Sequence, residues 1–166
     1  MKSTILDRRK FVALATITAV SACVSAGHVS IPAGTRLIVL RHADRDGEEL
    51  NKIGRARAMA LVPALENIEI DAIYSPGFQR NLDTAAPLSA ARGLPIQRLP
   101  AANPATRLMA EGRGRTIVWV GNKNNLAAIW EALGAPEPPP LNYGDLYIVE
   151  PSRFGNPHVI RGHFGP

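Results

Sequence analysis

The most informative stretch of this chain is Arg36-Leu37-Ile38-Val39-Leu40-Arg41-His42-Ala43. A run of apolar residues with β-strand character leads directly into a guanidinium and an imidazole. Ligands of open α/β sheets bind outside the carboxyl ends of strands, so the pair Arg41-His42 indicates an anion-binding site that contains a nucleophile. A later apolar run, Thr116-Ile117-Val118-Trp119-Val120, ends in Gly121-Asn122 and predicts a second strand that ends in polar residues.

Strand and helix patterns alternate along residues 35–166. Apolar runs predict strands at 36–41, 71–74, 95–98, 116–120, 145–150 and 158–161. Helices are predicted at 51–66, at 78–91, within 99–115, and from a cap at Asn124 or Asn125 to Leu133. In the first helix Asn51 is the predicted N-cap, and Pro63 predicts a kink or an early end. This alternation predicts an α/β protein, a three-layer α/β/α fold with a mostly parallel central sheet.

Residues 1–26 have the pattern of an export signal, in which basic residues precede an apolar stretch at 11–20 and small residues follow it. The pair Arg8-Arg9 resembles a twin-arginine signal. An ordinary secretory signal with paired arginines is the alternative. Either form predicts a bacterial protein that is exported from the cytoplasm.

Two cleavage sites compete at the end of this signal. Val20-Ser21-Ala22-Cys23 resembles a lipobox with Cys23 as the lipidated residue, whereas Val24-Ser25-Ala26 resembles an ordinary signal-peptidase site. The mature protein is therefore expected to be periplasmic or anchored to a membrane as a lipoprotein. Residues 27–34 form a predicted linker, and residues 35–166 form one domain.

The composition fits one globular domain and argues against nucleic-acid binding. Hydrophobic residues make up 46% of the 166 positions and charged residues 20%, as in ordinary folded domains. The net charge of +5 comes largely from the leader, because residues 23–166 carry 15 basic and 13 acidic side chains. Only 5% of the residues are aromatic, and no basic stripe interleaved with aromatic residues is present.

Three loops are predicted to meet at one edge of the sheet. Arg41 and His42 follow the first strand, Asn122 follows the fourth, and Arg80 lies in the first turn of the helix after the second. Two guanidinium groups suit a tetrahedral phosphate, and a neutral imidazole between them is able to attack phosphorus. The sequence thus predicts a phosphate-binding pocket. No histidine has metal-ligand spacing, and neither a metal nor a cofactor is predicted.

Several motifs together resemble the histidine phosphatase superfamily, whose members have the phosphoglycerate-mutase-like fold. The similar stretches are 37–44, 51–58, 72–76 continuing through Arg80 to 84–85, 118–122 with Asn124 and Leu126, and the strand at 144–149. The resemblance implies that His42 is the nucleophile that forms a phosphohistidine. It also implies that Arg41 and Arg80 hold the phosphoryl oxygens. A carboxylate would protonate the leaving oxygen, and four acidic residues are candidates: Asp44, Asp46, Glu48 and Glu111.

Asn122 departs from the family pattern, which places a second histidine at this position. An asparagine donates hydrogen bonds but is never cationic, and Lys123 beside it is expected to point into solvent. Two functions therefore stay open: a phosphomonoester phosphatase acting through His42, or a weak or inactive phosphate-binding pseudoenzyme of the cell envelope. The short segments around the pocket leave it nearly uncapped, which admits a phosphorylated protein, a lipid or sugar phosphate, or a small ester. Arg55 and Arg57 are expected on a solvated helix face.

Overall fold

A computed structural model describes residues 28–153 and 155–166 of the chain. The predicted export signal and Cys23, with the choice between its two cleavage sites, lie outside the described residues. In the part that is described, no helix has the length and hydropathy needed to cross a membrane.

Within the described residues, the chain forms a central sheet of six strands, a separate hairpin of two short strands, and four helices. The strands of the sheet are β1 (Arg36–Arg41), β4 (Ala72–Ser75), β5 (Ile96–Arg98), β6 (Thr116–Gly121), β7 (Asp145–Glu150) and β8 (His158–His163). The hairpin joins β2 (Arg45–Asp46) to β3 (Glu49–Leu50). The four helices are α1 (Lys52–Ala64), α2 (Gln79–Arg92), α3 (Pro104–Glu111) and α4 (Lys123–Leu133).

The order of strands in the sheet is β5-β4-β6-β1-β7-β8. The first four strands in this order run parallel, and β7 and β8 are antiparallel to their neighbours. Because β4, β6 and β1 are parallel neighbours, their carboxyl ends lie at one edge of the sheet. The predicted α/β fold class with a mostly parallel sheet is therefore confirmed.

Helices cover both faces of the sheet because side chains along each strand alternate between the faces. Leu37 and Val39 of β1 face a core that includes Leu108 of α3 and Trp130 of α4. The intervening residues of β1 face the other core, which contains Leu61 of α1 and Leu88 of α2. Nearly all of these side chains are inaccessible to solvent, and the sheet is the middle of three layers.

Local signals explain most of the helix boundaries. The Asn51 side chain accepts a hydrogen bond from the Gly54 amide at the start of α1, and α1 ends one residue after Pro63. Helix α2 ends at Gly93, whose positive φ of 64° suits a residue without a Cβ. The β2–β3 hairpin was not predicted, because two strands of two residues each are too short to show a periodicity.

The segment before β1 packs on the domain. The amide of Val29 donates a hydrogen bond to the carbonyl of Ala132 in α4 at 2.6 Å. Val29 and Ile31 also pack against the core on the α3–α4 face. The part of the predicted linker that is described is thus held against the folded domain.

Candidate functional site

A pocket of about 330 Å³ lies at the carboxyl edge of β1 and β6. It receives residues from the loop after β1, from the start of α2 and from the start of α4. The sequence-predicted residues Arg41, His42, Arg80 and Asn122 all line it, so the predicted convergence of the three loops is observed in the structure. The remaining lining residues are Arg45, Phe78, Lys123 and Asn124.

His42 lies at the buried floor of this pocket, with 2% of its surface exposed. Its amide donates a hydrogen bond to the carbonyl of Gly121 at 2.8 Å, which fixes the backbone just beyond β1. Its Nδ1 atom lies 2.9 Å from the carbonyl oxygen of Ala43. Because a carbonyl only accepts hydrogen bonds, Nδ1 carries the proton in the neutral ring and Nε2 keeps its lone pair.

The imidazole of His42 is neutral at physiological pH. Burial lowers the pKa of His42 to about 4, against the hydrogen bond to Ala43, which raises it. The positive charges of Arg41, Arg80 and Arg45 lower the same pKa further. A neutral ring with a free lone pair is the nucleophilic form of histidine.

Arg41 is held from one side of the pocket by the segment that leads into β7. Its Nη1 atom donates a hydrogen bond to the carbonyl of Leu141 at 3.1 Å. Its guanidinium carbon lies 3.9 Å from the centroid of the Tyr143 ring, within the range of a cation–π contact. These contacts orient the guanidinium beside His42, and burial lowers the pKa of Arg41.

Arg80 enters the pocket from the first turn of α2, and Thr84 connects that turn to the loop after β1. The Thr84 hydroxyl donates to the carbonyl of Arg80 at 2.7 Å and accepts a hydrogen bond from the amide of Ala43 at 2.9 Å. The Arg80 guanidinium lies 4.9 Å from the centroid of the Phe78 ring. Thr84 thereby sets the position of Arg80 relative to His42.

Three arginines of the pocket keep an unused donor. The Nε atoms of Arg41, Arg45 and Arg80 are buried and have no hydrogen-bond partner in the structure. A buried donor without a partner costs about 1–3 kcal/mol. The three guanidinium groups also carry Nη donors and line the same pocket, which makes the pocket suited to a tetrahedral oxyanion.

Asn122 caps helix α4. Its Oδ1 atom accepts hydrogen bonds from the amides of Asn124 at 3.1 Å and Asn125 at 3.2 Å. The Asn125 side chain accepts in return from the Asn122 amide at 3.0 Å, so the two residues form a capping box. The prediction that Asn124 or Asn125 is the N-cap was wrong by two or three residues, because β6 passes into α4 with a single residue between them. The Asn122 side chain retains its Nδ2 group to donate to a ligand.

The candidate acids fall in four different places. Asp44 pairs with Arg57, whose Nε lies 2.7 Å from Asp44 Oδ2, and it does not line the pocket. Asp46 accepts from the Asn51 side chain at 3.4 Å on the exposed hairpin. Glu111 ends α3 at the opposite edge of the sheet, next to Arg115 at the start of β6, so the structure does not bring it to the pocket.

Glu48 is the remaining candidate, and although it does not itself line the pocket, it contacts two residues that do. It lies in the turn between β2 and β3, and its carboxylate forms an ion pair with Arg80. Its second oxygen lies 3.9 Å from Nη1 of Arg45. The carboxylate therefore bridges two of the guanidinium groups that surround His42.

Sequence reasoning missed Arg45 and the burial of Arg57. Arg45 lies three residues after His42, and its position in the pocket depends on the unpredicted hairpin. Arg57 was expected on a solvated face, which is wrong: only 5% of it is exposed, and its Nη1 atom donates to the carbonyl of Phe164 at 2.8 Å. The cause is the C-terminal segment, which covers this side of α1. Lys123 is exposed, as expected, yet it lines the pocket mouth.

A three-layer α/β fold with a buried neutral histidine among arginines defines an oxyanion-binding site at the carboxyl edge of a sheet. The chain belongs to the histidine phosphatase superfamily (branch 1), whose family model matches residues 37–140. The proposed resemblance to this family is thereby confirmed. A search of curated proteins gives no significant match to the sequence.

Solved structures share this fold over most of their length. The protein histidine phosphatase SixA complexed with tungstate has a TM-score of 0.63 and 18% identity, covering 78% of this chain and 97% of that one. Bacillus stearothermophilus YhfR has a TM-score of 0.62 and 21% identity, covering 75% and 95%. The mycobacterial glucosyl-3-phosphoglycerate phosphatase Rv2419c with inorganic phosphate has a TM-score of 0.59 and 18% identity, covering 80% and 97%. At these identities the similarity establishes the fold.

Proposed function

We propose that this protein is a phosphomonoester phosphatase that acts through a phosphohistidine on His42. The state of His42 is the observation that supports this most directly. Its Nδ1 atom is engaged by Ala43 and its Nε2 atom is left as the nucleophile. Burial and the surrounding arginines keep the ring neutral. In addition, solved structures of the same fold are named as phosphatases and hold tungstate or inorganic phosphate.

The proposed reaction has two steps. First, the lone pair on Nε2 of His42 attacks the phosphorus while the bond to the ester oxygen breaks, and the leaving oxygen receives a proton as it departs as an alcohol. Second, water attacks the phosphohistidine, the P–N bond breaks and its electrons return to Nε2. Arg41, Arg45 and Arg80 stabilise the charge on the three non-bridging oxygens in both steps.

Asn122 supports a second candidate, a phosphate-binding protein of the cell envelope with little or no turnover. Its Oδ1 atom is used by helix α4, so a phosphoryl group receives a neutral amide donor there. Loss of one transition-state donor elsewhere costs about 10²–10³ in rate. Arg45 offsets this loss with a third guanidinium in the pocket, and this favours the phosphatase over the binding protein.

The test is phosphate release from an aryl phosphate and from a small set of alkyl phosphates by the purified protein. His42→Ala removes the nucleophile, and His158→Ala is the matched control, because His158 is an exposed histidine on β8. Turnover in the wild type and in His158→Ala, absent from His42→Ala, is the expected result. An acid-labile phosphoprotein trapped during turnover would identify the intermediate.

The variant Asn122→His distinguishes the proposed phosphatase from the alternative, a phosphate-binding protein with little or no turnover. If the wild type is inactive and Asn122→His gains activity, the pocket is preserved and the protein is a binder of phosphorylated ligands. If both are inactive on every substrate, the phosphatase proposal is rejected.

We also propose that the protein works outside the cytoplasm, as a periplasmic protein or as a lipoprotein attached to a membrane through Cys23. The support is the sequence pattern of residues 1–26. Cell fractionation tests it, with Cys23→Ser expected to release a lipoprotein from the membrane fraction.

A further inference from the structure

The sequence alone does not choose the carboxylate that exchanges the proton with the leaving group, and Glu48 is placed to do it. Among the acidic residues of the described chain, Glu48 is the one whose carboxylate forms an ion pair with a cation of the pocket. Asp44 is engaged in an ion pair with the buried Arg57. Glu111 lies at the opposite edge of the sheet.

We propose that Glu48 is the general acid of the first step and the general base of the second. This proposal rests on the proposed phosphatase function. Glu48 is carried by the turn of the β2–β3 hairpin, next to Gly47, whose positive φ of 63° closes the turn. Its side chain is 71% exposed, so the carboxylate is free to move between Arg80 and an arriving ligand.

The position of Glu48 relative to His42 suits this role. The attacking and leaving atoms of a phosphoryl transfer lie roughly in line on opposite sides of phosphorus. His42 is buried at the floor of the pocket, so the leaving oxygen faces the mouth. The side chain of Glu48 is 71% exposed and contacts Arg80 and Arg45, two residues that line the pocket. We therefore infer that it lies on the solvent side of the site, which is the leaving-group side.

Binding of the substrate releases this carboxylate from its ion pair. In the structure the Glu48 carboxylate contacts Arg80, and its second oxygen lies 3.9 Å from Nη1 of Arg45. A phosphoryl group that binds Arg80 through its oxygens competes with Glu48 for this guanidinium. The Glu48 side chain is 71% exposed, so the displaced carboxyl exchanges its proton with solvent and is free to meet the leaving group.

Over the two steps Glu48 gives up one proton and regains one. Protonated Glu48 gives its proton to the ester oxygen as the P–O bond breaks, and the alcohol leaves. The carboxylate then takes a proton from the water that attacks the phosphohistidine. The P–N bond breaks, His42 regains its lone pair, and inorganic phosphate leaves with Glu48 protonated for exchange with solvent.

The dependence of rate on the leaving group tests this role. In Glu48→Gln, kcat/KM for a simple alkyl phosphate is expected to fall by about 10²–10⁴, because an alkoxide is a poor leaving group without a proton. For p-nitrophenyl phosphate, whose phenolate leaves unaided, the fall should stay within about tenfold. Glu49→Gln is the control, since it removes the same charge from the same hairpin at an exposed residue that faces the neighbouring groove between α1 and α2.

Proton uptake on anion binding is a readout that does not require turnover. Titration of the protein with tungstate, followed by calorimetry in two buffers of different ionisation enthalpy, gives the number of protons taken up. The wild type and Glu49→Gln are expected to take up protons on binding, and Glu48→Gln to take up fewer. Equal uptake in all three proteins overturns the proposal, as does an equal loss of rate with alkyl and aryl phosphates. Wild-type protein that binds tungstate but releases no phosphate from any ester refutes the phosphatase itself, and the acid role with it.

Discussion

Replacement of Arg57 by methionine is expected to destabilise the fold by about 3–5 kcal/mol, the usual cost of breaking a buried ion pair by removing one partner. Arg57 is 5% exposed, and its guanidinium bonds both Asp44 at 2.7 Å and the carbonyl of Phe164 at 2.8 Å. Methionine fills a similar volume but leaves the Asp44 carboxylate without its cation. For a domain of this size the loss corresponds to a fall in Tm of about 10–20 °C.

The same substitution is expected to lower activity at temperatures where the protein is still folded, because Asp44 follows His42 by only two residues. Thermal unfolding at neutral pH, followed by calorimetry, measures the stability, and kcat/KM measures the second effect. Lys52→Met is the matched control. It also removes one positive charge from α1, but at an exposed position, and its Tm should change by less than about 2 °C.

A double variant decides whether the pair itself is responsible. Arg57→Met combined with Asp44→Asn leaves no buried charge unpaired, so its loss of stability should be smaller than the sum of the two single losses by about 1–3 kcal/mol. A fall in Tm of less than about 3 °C in Arg57→Met would show that this pair contributes no more than an ion pair at a protein surface. If the stability losses of Arg57→Met and Asp44→Asn are fully additive in the double variant, the pair likewise makes no specific contribution to stability.

Two further predictions concern the nucleophile and its loop. In an NMR titration the His42 ring should protonate near pH 4, and a midpoint above pH 6 would contradict the neutral, buried imidazole. The unfolded chain takes up this proton near pH 6.5. The free energy of unfolding should therefore fall as the pH drops from about 6.5 to about 4. Gly54→Ala should lower the Tm although alanine is the better helix former, because a Cβ at Gly54 would overlap the carbonyl oxygen of Asp44. An unchanged or higher Tm in this variant would mean that the loop after His42 shifts to accommodate the added Cβ without a loss of stability.

The fold and the convergence of four site residues were predictable because they depend on local patterns and one topological rule. Apolar runs mark β1 and β6, and parallel strands bring their carboxyl ends to the same edge of the sheet. This rule alone places Arg41, His42 and Asn122 in one pocket. Arg80 follows from its place in the first turn of α2, immediately after β4.

The parts that could not be predicted depend on contacts between distant segments. Arg57 has the sequence signature of an exposed helical residue, and its burial depends on Phe164, 107 residues further along the chain. The choice among the acidic residues depends on a hairpin whose strands have two residues each. Glu48 and Glu49 are adjacent residues of the same type, so the sequence does not tell them apart. The geometry of the turn directs Glu48 to Arg80.

The asparagine at position 122 limits which groups of the pocket are able to move a proton in the proposed reaction. An amide does not titrate, and the guanidinium groups of the pocket do not give up protons near neutral pH. His42 must stay neutral to attack, and burial keeps it so. In the proposed reaction, proton exchange with the leaving group therefore depends on a carboxylate. A histidine introduced at position 122 would add another group that titrates near pH 7. Asn122→His should therefore reduce the rate penalty of Glu48→Gln, measured as kcat/KM for an alkyl phosphate.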